Sequence, residues 1–133
     1  MNVSRVSTWM VEVPQKAPIA PYRSHVRTSS TTTKIIVRLD TDEGVHGWGE
    51  ANINFLAGIN RDQLQKQASE WMVGRDATNI ALFHETCPLE TRLKAGVELA
   101  MWDIAGKVAG LPVAKLLGGI IREEVELAAC MGI

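Results

Sequence analysis

The chain has 133 residues, enough for one domain of ordinary size with a single buried core. Its 46% hydrophobic and 22% charged content is that of a globular protein, and 14 basic against 15 acidic side chains give a formal charge of −1. That balance leaves no electrostatic footprint for nucleic acid or an anionic membrane, no apolar run has the length of a membrane span, and the first residues alternate instead of forming a signal peptide's apolar core.

Residues 2–13 predict a first strand, with Val3, Trp9, Val11 and Val13 on one face and Ser4, Val6, Thr8, Met10 and Glu12 on the other. Pro14 ends it. Residues 14–30 form a long connection with three prolines (Pro14, Pro18 and Pro21) that brings Tyr22, Arg23, His25 and Arg27 close together. Loops of this length inside a compact domain are usually functional or disordered. The four side chains have two readings: a grip on a carboxylate, which guanidinium groups hold bidentately, or a flexible basic loop.

The clearest strand covers 31–40, where β-branched residues dominate and Thr33, Ile35, Val37 and Leu39 share a face. Thr41-Asp42-Glu43-Gly44 reads as a turn, and 45–50 returns as an antiparallel partner. Gly47 and Gly49 flank Trp48 there, marking a bulge or a close backbone approach. Glu50 closes the strand. It is read as a structural hydrogen-bonding group in preference to a catalytic acid.

After a polar loop over 51–60 the period becomes helical. Residues 61–73 place Leu64, Ala68, Trp71 and Met72 on one face, 79–85 predict a short helix, and Pro88 opens a long one. Leu89, Leu93, Val97, Ala100, Ile104 and Val108 form its buried stripe. Gly110 and Pro112 end that helix, and Pro112 starts a second, 113–117, closed by Gly118-Gly119. Gly96, Ala100 and Gly106 give the long helix a small-residue surface, read as close packing of another backbone; Asp103 and Lys107 form an i,i+4 surface pair. Residues 125–130 predict a short apolar strand with no obvious partner.

No reacting constellation assembles. His25, His46 and His84 fall in different elements without metal-ligand spacing, and Cys87 has no histidine partner. With only Cys87 and Cys130 there is no disulfide framework, so a reduced, cytoplasmic setting is expected. Gly47-Trp48-Gly49 is not a phosphate loop.

Ala95-Gly96-Val97-Glu98, Ala100, Asp103-Ile104, Gly106-Lys107, Pro112-Val113 and Leu116-Leu117-Gly118 resemble the N-terminal signature of the mandelate racemase / muconate lactonizing enzyme group of the enolase superfamily. Val37-Arg38-Leu39, Asp42-Glu43-Gly44 and Gly47-Trp48-Gly49-Glu50-Ala51 are similar to that group's second and third strands. The resemblance implies an α+β fold, a three-stranded antiparallel sheet followed by a helical bundle, as a capping domain over 1–119. Residues 120–133 would then begin a β/α barrel, with 125–130 as its first, unpartnered strand.

The resemblance further implies a parent enzyme that abstracts a proton α to a carboxylate, with magnesium stabilising the enediolate. Racemisation, epimerisation, cycloisomerisation and dehydration all fit, and acid-sugar dehydration is preferred. The base and metal ligands would lie on barrel strands beyond Ile133, so no catalytic or metal residue carries over and the chain alone is expected to be inactive. What carries over is the role of two substrate-covering loops, 14–30 and 51–60, with Tyr22, Arg23, His25, Arg27 and Asn54 as candidate substrate contacts. The partners implied are a small carboxylate and further copies in a homo-oligomer. Two other readings stay open: a stand-alone carboxylate-binding module, and an inert structural fragment.

Overall fold

A computed structural model describes residues 1–18, 20–23, 25, 28–52 and 60–127. Strands β1 (Val3–Pro14), β4 (Thr31–Thr41) and β5 (His46–Asn52) form one antiparallel sheet in the order β1-β4-β5. A separate two-stranded ribbon, β2 (Tyr22–Arg23) with β3 (Thr28–Ser29), interrupts the long connection between β1 and β4. Helices α1 (Arg61–Met72), α2 (Ile80–Thr86), α3 (Thr91–Ala109) and α4 (Val113–Leu116) follow.

The alternation of β4 sets the inner face of the sheet: Ile35, Val37 and Leu39 are wholly buried there. Val6 and Thr8 of β1 share that face, with Thr8 opposite Val37 and Val6 opposite Leu39. The expected parity of β1 is therefore corrected. The register shifts between Val3 and Arg5, and this bulge turns Val3 inward alongside Val6. Trp9, 42% exposed, looks outward, as do the apolar residues that alternate with it. Ala68 and Met72 of α1, with Leu93, Val97, Ala100, Met101 and Ile104 of α3, complete the core against this face.

The first three helices each begin on a side-chain cap. Asn60 accepts from the backbone N–H of Asp62 at 2.9 Å, Asn79 from that of Leu82 at 3.1 Å, and Glu90 from that of Arg92 at 2.9 Å. The long helix thus opens at Thr91 behind a Glu90 cap and not at Pro88, and Gly110, at φ 64°, ends it as expected. Val108 is 52% exposed, so the buried stripe stops at Ile104.

The closest packing lies between α3 and β5. A Cβ added to Gly49 would overlap the Gly96 carbonyl oxygen and fall 2.9 Å from the Ala100 nitrogen. One added to Gly47 would overlap the Ala100 carbonyl oxygen and fall 2.7 Å from Ile104 Cγ1. The strand glycines mark close approach, since the β4–β5 register runs without a bulge. Gly96, in turn, rests on Ala51 and Val37. Gly106 meets only the following turn, at Leu111 and Val113.

Asp103 adds a polar clasp to this contact. β5 is an edge strand, and its Trp48 N–H donates to Asp103 Oδ2 at 2.9 Å. Lys107 Nζ donates both to Asp103 Oδ2 at 2.7 Å and to the His46 carbonyl at 2.8 Å. The predicted surface pair therefore also satisfies the open edge of the sheet. Glu50 has the structural role expected of it: exposed on the outer face, it accepts from Lys34 Nζ at 2.6 Å.

On the same outer face Asp40 receives Arg5 Nε at 3.0 Å and Arg38 Nε at 2.9 Å. Burial opposes its ionisation, but the hydrogen bonds and charges of Arg38 and Arg5 outweigh that and hold its pKa below the ordinary value. Asp76 is lowered mainly by hydrogen bonds from the Thr78 backbone and hydroxyl.

Two predictions follow from this packing and pairing. Gly49→Ala should cost about 3 kcal/mol or more by overpacking, whereas Gly106→Ala, with its helix-propensity gain, should change stability by about 1 kcal/mol or less. Urea unfolding of the two variants checks this ordering. Both shifted carboxyls are lower in the folded chain, so their stabilisation is present above about pH 3.9 and is lost as pH falls through the folded values. Asp40→Asn should accordingly destabilise the chain at neutral pH, by a margin that narrows on acidification; thermal unfolding from about pH 6 to 2.5 measures it.

Candidate functional site

The antiparallel order places the end of β1, the start of β4 and the end of β5 at one end of the sheet. β1 ends there at Pro14, opposite Thr31, where β4 begins; β5 ends there at Asn52, opposite Lys34. The 14–30 connection thus leaves and re-enters the sheet beside the point where 53–59 departs. The opposite end carries the Asp42-Glu43-Gly44 turn, and there Asp42 accepts from the Asn2 backbone N–H.

The base of the first connection is pinned. Gln15 N–H donates to the Ser30 carbonyl at 2.9 Å, the Gln15 amide to Thr32 Oγ1 at 3.2 Å, and Ser29 Oγ to the Thr31 carbonyl at 2.6 Å. Gln15 and Thr32 carry no sequence signal for this role, because only the β1–β4 register makes them neighbours.

Above this base stands the β2–β3 ribbon, with Tyr22 opposite Ser29 and Arg23 opposite Thr28. Tyr22, Arg23 and His25 are all exposed. Successive strand residues project to opposite sides, so Tyr22 and Arg23 present a phenol on one side of the ribbon and a guanidinium on the other. Arg27 and Asn54, the other two expected substrate contacts, lie outside the described residues. What the described part offers is hydrogen-bond donors and one positive fork on a two-stranded ribbon, chemistry suited to binding and covering an anion.

The remaining titratable residues stay apart from this end or are engaged elsewhere. His46 sits on the outer sheet face with its ring edge-on to Trp48 at 6.2 Å, and His84 lies 3.0 Å from Glu98 on the helical side. Burial pushes the Cys87 thiol up, away from nucleophilic character. Among the described residues no three His, Cys, Asp or Glu side chains stand together as a metal site. Among them, too, no helix is long and apolar enough to cross a membrane. The strand expected over 125–130 is not formed in its described part: 125–127 pair with no strand among the described residues, and Val125 and Leu127 are 73% and 96% exposed. Residues 128–130 lie outside the described residues.

Comparison with known proteins agrees with this architecture. The family model for the mandelate racemase / muconate lactonizing enzyme N-terminal domain matches residues 6–118. A D-galactonate dehydratase of Ralstonia pickettii (strain 12J) is 34% identical over 107 residues, covering 74% of this chain and 28% of that enzyme. A D-galactonate dehydratase of Pectobacterium atrosepticum is 32% identical with the same coverage. Among solved structures, a muconate lactonizing enzyme from Pseudomonas fluorescens, complexed with muconolactone, superposes with a TM-score of 0.77 at 27% identity, over 92% of this chain and 35% of its own. An N-succinyl Arg/Lys racemase from Bacillus cereus superposes with a TM-score of 0.81 at 25% identity, over 100% of this chain and 38% of its own. The chain spans little more than a quarter of the length of the curated relatives it matches, 28% in each case. With its three-stranded antiparallel sheet backed by helices, the chain belongs to the mandelate racemase / muconate lactonizing enzyme family of the enolase superfamily, and the part of that family it carries is the N-terminal domain.

Proposed function

We propose that this chain is the substrate-capping domain of an enzyme that removes the proton α to a carboxylate, and that the reaction is the dehydration of an acid sugar. The observation that carries the capping role is that the 14–30 connection leaves and re-enters the sheet at the end where β5 stops at Asn52, and that it exposes Tyr22, Arg23 and His25. The preference for dehydration rests on the 34% identity to a D-galactonate dehydratase.

The physical contribution of such a cap is positioning and exclusion of water. An arginine fork holds a carboxylate in one orientation, and a ribbon closing over the substrate strengthens every electrostatic interaction beneath it. Residues 1–119 constitute the cap in this reading, and 120–133 begin the barrel. Magnesium, expected of the parent enzyme, does not fit the described residues, none of which cluster as ligands. The metal ligands and the proton-abstracting base belong to the barrel, the parent works in the cytoplasm, and the cap by itself turns nothing over.

Two measurements test this. The purified 133-residue chain with D-galactonate and magnesium in D2O should show no α-proton exchange; exchange by a sample of verified mass would overturn the division of labour. A chimera in which this chain replaces the matching 107-residue segment of the Ralstonia pickettii dehydratase should dehydrate at least one acid sugar. Within it Arg23→Ala should raise KM about tenfold or more, as expected for loss of a charge-assisted bond. A folded chimera inert toward acid sugars rules out the dehydratase reading. Saturable binding of acid sugars by the chain alone, without magnesium, points to a stand-alone binding module instead.

A further inference from the structure

Where α1 ends, the chain turns back against the start of β1. Gly74, at φ 82°, makes the turn; its N–H donates to the Val3 carbonyl at 2.8 Å, and the Val3 N–H donates to the Arg75 carbonyl at 2.9 Å. A bridge between Asn2 and Asp76 continues this strap. The strap forms one side of a cleft of about 250 Å³ between α1, α2 and α3. Met72, Phe83 and Met101 wall the cleft with buried apolar side chains, and Leu82, 52% exposed, adds an apolar wall open to solvent. Arg75 and Asp76 both line it. This is the end of the sheet where β1 begins, opposite to the end that carries the 14–30 connection.

Both charges are fixed in place by the chain. The Arg75 guanidinium lies 3.7 Å over the Trp71 ring, and its Nε donates to the Trp71 carbonyl at 2.6 Å. The two terminal nitrogens remain, with no carboxylate paired to them among the described residues. Asp76 accepts the Thr78 N–H at 2.9 Å and the Thr78 hydroxyl at 2.8 Å, both on Oδ1. Those bonds favour its ionised form, and its Oδ2 receives no hydrogen bond among the described residues. The N-terminal ammonium, which also acts on Asp76, is paired with Glu43 at 3.5 Å. Each group therefore keeps one charged edge open.

We propose that this cleft binds a small α-amino acid with an apolar side chain, its carboxylate on Arg75, its ammonium on Asp76 and its side chain against Met72, Phe83 and Met101. Charge and size select this occupant. A simple carboxylate leaves Asp76 unanswered and adds a second negative charge beside it, and a simple amine does the converse to Arg75; a zwitterion answers both. A sugar would strand hydroxyls on the apolar walls. An apolar cavity of about 150 Å³ takes benzene, so about 250 Å³ gives room for about ten non-hydrogen atoms, enough for leucine and too few for tryptophan. Two of the three buried walls are methionines, whose unbranched side chains adapt to the shape of the guest.

Titration calorimetry of the 133-residue chain with L-leucine, up to about 10 mM, tests the proposal. Saturable binding to a single site is expected, with the methyl NMR signals of Met72 and Met101 shifting along the same isotherm. Isocaproate, which lacks the amine, and isoamylamine, which lacks the carboxylate, should each bind about tenfold more weakly or worse, as loss of a charge-assisted bond requires. Arg75→Gln should weaken leucine binding by a similar factor with unchanged far-UV circular dichroism. So should Asp76→Asn, which keeps the Oδ1 acceptor for Thr78. Absence of saturable leucine binding overturns the proposal. Equal binding of isocaproate also overturns it, by making the site one for plain carboxylates, and so does leucine binding that neither substitution weakens. Should a variant not fold, the two analogues decide the matter on the unaltered chain.

Discussion

The contact on which this domain depends is the seating of α3 against β5 at Gly47 and Gly49, where strand backbone meets helix backbone. Gly47 and Gly49 let the strand backbone approach the carbonyls of Gly96 and Ala100 more closely than any Cβ would allow. At that separation the helix reaches past the sheet edge, and Asp103 and Lys107 bond the Trp48 N–H and the His46 carbonyl. The two features need each other. Without the glycines the carboxylate would stand too far from the strand; without the carboxylate the close approach would leave an edge N–H facing a helix with no acceptor. The contact also fixes the side of the sheet on which the helices lie, and so leaves the outer face with its tryptophans free.

How much of this was legible depends on how local each signal is. β4 reads correctly because Ile35, Val37 and Leu39 alternate without interruption. β1 does not, because Trp9, Val11 and Val13 are apolar on the outer face and a bulge between Val3 and Arg5 changes the parity. Binary pattern has no means of separating an apolar surface patch from a core face. The helices were legible in existence: α1 starts at Arg61 as read, α2 one residue later than read, and α3 three residues later, where the Glu90 cap and not Pro88 sets the boundary. Asp103 and Lys107 read as a surface pair because their spacing is local, while the bond to Trp48 crosses 55 residues. Val108 keeps the helical period yet is exposed.

The candidate site shows the same divide. Composition and loop length single out 14–30, but sequence does not show that it shares an end of the sheet with the departure of 53–59; strand order does. Nor does proximity in sequence amount to convergence in space. Tyr22 and Arg23 are neighbours in the chain and face opposite sides of the ribbon, so the four residues that cluster on paper need not hold one anion together.

This separation of frame from loops gives the domain its physical logic. The α3–β5 contact is rigid because backbone meets backbone, and nothing in it can change without moving a helix. Among the described residues the ribbon at the far end is tied to the frame at its base, through Gln15, Ser29 and Thr32. Substitutions at Tyr22, Arg23 or His25 therefore alter what the loops present without touching the core, since all three are exposed and none belongs to the buried cluster. A domain built this way can change what its loops present while keeping its sheet and its helices. That is the property expected of a domain shared by relatives named as a dehydratase, a racemase and a muconate lactonizing enzyme.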